Sequence, residues 1–178
     1  SLSDTPARCR VAVMTKVTHQ CFEATGHSAF ICDFSPPRSG DPSVLRQAEI
    51  DADFISVAYN PGRAVRVNSP MLASAIKQHI GKEVVFTLAT RDMNKLAIQS
   101  QLLGAQLLGL ENVVVVRGDP FNDRDLALVK EAADYRPTEL IAAIGEMNQG
   151  VDFRGAQLRS TTDFCVGATV DLGRGIEA

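Results

Sequence analysis

Five short runs of mostly apolar, β-branched residues constrain the fold of this chain more than any other feature: AFICDF (29–34), ADFISVAY (52–59), EVVFTLA (83–89), NVVVV (112–116) and DFCVGATV (163–170). Each is nearly apolar at successive rather than alternate positions, which marks a strand buried on both faces. Sheets of such strands are parallel, because the crossover segments lay helices against them. The intervening segments read as those crossovers, so strand, loop and helix repeat with a period of roughly 25 to 30 residues.

Helix-start signals fall where this scheme needs them. Asp41-Pro42 and Ser69-Pro70 each set a capping side chain before a proline at the first helical position, where the missing N–H costs nothing. Asp92 is placed to cap MNKLAIQSQLLGAQLLGL (93–110), in which Leu96, Leu103 and Leu107 recur at helical spacing and Gly109 ends the helix.

Length alone favours an open doubly wound sheet, since a (β/α)8 barrel takes about 250 residues. Two features favour the barrel. No strand runs into a Gly-x-Gly-x-x-Gly turn, and polar residues gather past the ends of several different strands, as a barrel mouth requires. The expectation is an α/β chain of the TIM (β/α)8-barrel type, supplying about the first five βα units. It forms one partial domain over 1–178, with 1–28 as a helical lead-in. The chain stops in DLGRGIEA, directly after a strand and at what reads as a helix start, and so reads as a fragment. A five-strand arc leaves two edges unpaired and one side of its core open, which implies a homo-oligomer or another chain covering them.

Charge narrows the function classes. With 18 Lys and Arg against 21 Asp and Glu, and no basic run, there is no stripe to neutralise a phosphate backbone, so nucleic acid is not an expected partner. No apolar segment reaches the roughly 18 residues of a membrane span, and the expected location is the cytoplasm. Cys9, Cys21, Cys32 and Cys165 never approach a C-x-x-C spacing, and His19, His27 and His79 stand alone in polar surroundings, so no metal site is expected.

The candidate chemistry lies past the strand ends. Asp33 follows the first, Tyr59 and Asn60 the second, Thr87, Thr90, Arg91 and Asp92 the third, and Arg117-Gly118-Asp119-Pro120 the fourth. In a βα barrel these share the rim that hosts active sites. Taken singly, Asp33 reads equally as a turn residue and Asp119 as a cap before proline. Gly118 lets backbone approach a ligand, Arg117 can hold phosphate or a carbonyl, and Asp119 can accept from a ring N–H.

The motifs FSPPR (34–38), NPGRAVRVNSPMLASAI (60–76), TRDMNKLAIQSQLLGAQLLGLENVVVVRGDP (90–120) and FCVGA (164–168) together resemble the methylenetetrahydrofolate reductase family. The resemblance implies an FAD-containing (β/α)8 barrel that reduces 5,10-methylenetetrahydrofolate to 5-methyltetrahydrofolate, with NADH or NADPH as electron donor. It places Asp33 at the family's general acid, ordinarily a glutamate, where partial burial would raise its pKa. Asp119 matches an aspartate near the flavin and pterin, so Asp33 and Asp119 are the implied folate contacts. Thr87, Ala89, Arg117, Gly118, Asp119 and Ala168 are the implied flavin contacts. Other readings are a non-catalytic barrel module within a larger assembly, or a related reductase using a deazaflavin or the nicotinamide directly.

Overall fold

Five parallel strands hydrogen-bond in the order in which they occur in the chain, β1-β2-β3-β4-β5, in a computed structural model that describes residues 16–23 and 28–170. The elements are α1 (Val17–Glu23), β1 (Ile31–Phe34), a 3₁₀ segment (Pro42–Ala48), β2 (Phe54–Val57), a 3₁₀ turn (Pro61–Arg63) and α2 (Ser69–Ile80). There follow β3 (Glu83–Ala89), α3 (Lys95–Leu107), β4 (Asn112–Val116), α4 (Asp123–Leu126), α5 (Pro137–Asn148) and β5 (Cys165–Ala168). Consecutive order settles the architecture. A doubly wound sheet reverses its strand order at a switch point, whereas a barrel lays each strand beside the last. The structure is a partial α/β barrel.

Register divides every strand into two faces. Phe34, Ile55, Val57, Val84, Phe86, Leu88, Val113 and Val115 form one apolar core with the helices, joined by Leu72, Ile76, Ile98, Leu102, Leu140, Ile144 and Met147. The alternate positions make the inner face, in rows set by pairing: Asp33, Ser56, Val85, Asn112 and Cys165, then Thr87, Val114 and Gly167, then Ala89 and Val116.

α1, the described part of the lead-in, touches the lower end of this face at the start of β4. Val17 N–H donates to the buried Asn112 Oδ1 at 2.9 Å, and Lys16 pairs with Asp163. Residues 1–15, Cys9 and His27 lie outside the described residues, as does the helix expected in DLGRGIEA. No described helix is long and apolar enough to cross a membrane.

Two local expectations, both of helix caps, are corrected. Asn68, not Ser69, caps α2, accepting from Met71 N–H at 3.3 Å. Ser69 is drawn into the sheet, its hydroxyl donating to Val57 C=O at 2.7 Å and accepting from Thr87 N–H at 3.0 Å, where the β2–β3 ladder opens. Asn94 caps α3 in place of Asp92, whose carboxylate takes Arg91 instead. Leu96, Leu103 and Leu107 are exposed, and α3 buries Ile98, Gln99, Leu102 and Ala105. Gly109 ends the helix as expected, in the left-handed conformation, with Leu110 N–H returning to Ala105 C=O at 3.0 Å.

Candidate active site

Four rim loops are laced to one another by backbone and side-chain bonds. The prolines after β1 end the strand because neither donates to a ladder, yet their carbonyls still accept. Pro36 C=O takes Arg66 Nη1–H at 2.7 Å and Pro37 C=O takes Val67 N–H at 3.0 Å, which ties the β1 loop to the β2 loop. Within the β2 loop Asn60, Gly62 and Arg63 all have positive φ. Such a run is held by its surroundings. Asn60 Oδ1 accepts from Arg66 N–H at 3.2 Å, Gly62 N–H donates to Asp119 Oδ2 at 2.9 Å, and Arg63 pairs with Asp125 at 2.9 Å.

Arg91, after β3, is the centre of the lacing and is only 4 % exposed. Its Nε–H and Nη2–H donate to Asp92 Oδ1 and Oδ2 at 2.5 and 2.7 Å, and its Nη1–H donates to Asp119 C=O at 2.6 Å. Phe121 lies 4.3 Å from the guanidinium carbon. The Asp92 hydrogen bonds push the Arg91 pKa up, and burial followed by the Asp92 charge pushes the Tyr59 phenol up to about 12, so Tyr59 keeps its proton. A groove of about 330 Å³ borders this knot, lined by Asn60, Arg63, Arg91, Asp92, Phe121 and Lys130 among others. None of the inner-face residues lines it.

The residues expected to act are brought to one mouth, with two differences. Asp33, Thr87 and Ala89 lie on the inner face, and Arg117, Gly118 and Asp119 follow β4 at its rim. Asp33 is exposed, so the partial burial expected for an acid is not met within these strands. Ala168 takes register with Val115, which packs toward the helices, so Gly167 and not Ala168 stands in the Thr87 row. A ligand in the mouth would meet Ala168 through its backbone. Gly118 has a nearer reason to be glycine than a ligand: at φ +88°, a Cβ there would stand 3.3 Å from Ala89 Cβ and 3.4 Å from Arg91 Cβ.

A family model described as methylenetetrahydrofolate reductase matches residues 18–158, well over half of the chain. The chain belongs to the methylenetetrahydrofolate reductase family. The matched span carries Asp33, Thr87, Ala89, Arg117, Gly118 and Asp119, while Ala168 lies beyond it. Methylenetetrahydrofolate reductases are generally flavin-dependent, and the residues at this mouth fit such a group. Gly167 keeps the floor flat beside Val114, where a Cβ would come within 3.2 Å of Val114 Cγ2. The Thr87 hydroxyl and the Asp119 Oδ1 have no partner among the described residues, and Arg117 is exposed and makes no ion pair among them. Thr87 and Asp119 can therefore hydrogen-bond a heterocycle and Arg117 a phosphate.

Arg91 is named among the candidate residues after the third strand but given no role, and Gly167 is not named. The Arg91 pairing is hidden in sequence because its partner is the adjacent residue, which in a strand would point to the other face. Gly167 was legible as the glycine of FCVGA, but its face depends on register with Val114.

Proposed function

We propose that this chain reduces 5,10-methylenetetrahydrofolate to 5-methyltetrahydrofolate, with FAD as its cofactor and NADH or NADPH as the source of electrons. The reading is supported by one carboxyl group on the inner face and a second at the rim of the same mouth, in a member of the methylenetetrahydrofolate reductase family. Reduced FAD would supply the hydride. The chain's own part is proton handling and orientation. Asp33 gives its proton to a ring nitrogen of the substrate, the C–N bond to the bridging carbon breaks, and the iminium left behind accepts the hydride to become the methyl group. Asp119 Oδ1 accepts from a ring N–H, Thr87 hydrogen-bonds the flavin ring, and Arg117 takes a phosphate of the cofactor.

A proton-donating carboxyl acts best from a desolvated place, and Asp33 is exposed. The reading therefore includes strands of a further segment or of a second chain over the open inner face. The exposure of Asp33 also favours a second reading, a barrel module that binds flavin or folate within a larger assembly without catalysis.

The test begins with the visible spectrum of the full protein incubated with FAD. The expected result is a bound flavin absorbance, bleached by NADH or NADPH and restored by 5,10-methylenetetrahydrofolate. Protein that fails to bind FAD overturns the reductase reading, and a bound flavin that is bleached but never reoxidised by the folate favours the module.

A further inference from the structure

The geometry points to Arg91 as a positioning residue for Asp119, holding it so that one carboxylate oxygen stays on the Gly62 amide and the other remains open to a ligand. A guanidinium that is 4 % exposed is costly unless its donors are matched. Two of its bonds go to Asp92, the next residue, and so tie nothing distant together. What they do is hold the plane of the fork. The remaining named contacts, Asp119 C=O at 2.6 Å and the Phe121 ring at 4.3 Å, both belong to the loop after β4.

Gly118 completes the device, because its positive φ lets the chain pass against Ala89 and Arg91 and brings the Asp119 carbonyl within reach of Nη1. Asp119 is then held at both ends, by Arg91 through its backbone and by Gly62 through Oδ2. A lysine carries the charge without the planar fork, so it cannot make two parallel bonds to Asp92 and reach Asp119 C=O in the same geometry. The consequence for turnover rests on the role given to Asp119 under the proposed function, while the positioning itself does not.

The test uses the full chain and two variants, Arg91→Lys and Asp92→Asn. Hydrogen exchange at the Gly62 amide, read by NMR without any ligand, is expected to speed up about tenfold in Arg91→Lys while α2 amides are unchanged. If that variant does not fold, Asp92→Asn is read the same way, with an expected change of about threefold. Unchanged Gly62 exchange in the folded variant overturns the inference. With FAD added, Arg91→Lys is expected to raise the folate KM about tenfold, and to add little on an Asp119→Asn background. A KM effect that adds in full on that background also overturns it. Faster Gly62 exchange with no change in KM supports the positioning and sinks the role given to Asp119.

Discussion

Gly118 passes so close to Ala89 that a Cβ on the glycine would stand 3.3 Å from the alanine Cβ. Its φ of +88° adds a backbone cost for any side chain. Gly118→Ala is therefore expected to destabilise the chain by about 1–3 kcal/mol, read from the midpoint of urea unfolding. Unaltered stability would show that the turn after β4 relaxes freely and that the close approach constrains nothing.

The Ser69 hydroxyl serves two backbone groups at once where the β2–β3 ladder opens, Val57 C=O and Thr87 N–H. Ser69→Ala strands both in a buried place, and a stranded buried group costs about 1–3 kcal/mol. Denaturant titration should show that loss with an unchanged slope, and a thermal melt should show it equally in the absence of any ligand.

Asp33 separates a proton donor from a spacer. Asp33→Asn keeps the shape and removes the acid, so kcat for folate reduction is expected to fall by about 10²–10⁴-fold while the reduction of bound flavin by NADH or NADPH keeps its rate. Equal losses in both half-reactions would place Asp33 in cofactor binding instead.

Glu111 supplies a pH dependence distinct from the mouth. It is buried beside the start of β4, its Oε2 has no partner among the described residues, and burial pushes its carboxyl up against the opposing pull of Lys77 and Lys16. The folded chain thus binds this proton more tightly than the unfolded one. The stability it contributes is complete below the ordinary glutamate value of 4.5 and is lost as pH rises through the folded-state value. Glu111→Gln should flatten the fall of melting temperature with rising pH, and parallel curves for the two proteins would rule the residue out as its source.

The fold was largely legible in the sequence because strands buried on both faces leave uninterrupted apolar runs, and β3 and β4 coincide with EVVFTLA and NVVVV. Strand ends were less so. At the second run the ladder opens where Ser69 takes over its bonds, a tertiary event that no local pattern encodes. The α3 leucines show how period differs from phase: Leu96, Leu103 and Leu107 keep helical spacing, but so do Ile98, Leu102 and Ala105, and packing chose the second set. Around the mouth, Asp33 and Thr87 lie within β1 and β3 rather than past their ends, and the Arg117–Asp119 turn follows its strand as read. Parity exchanged Ala168 for Gly167, because which face a residue takes depends on pairing with β4.

Consecutive strand order has a consequence for how the arc is made. Every strand finds its partner in the segment just synthesised, so the sheet can lengthen one unit at a time without threading a strand between two that are already paired. The contacts of the α1 region run against this order, Val17–Asn112 spanning 95 positions and Lys16–Asp163 spanning 147. α1 lies ahead of all five strands in the sequence, yet it can dock only after β4 and the segment leading into β5 exist, so its contacts are made late.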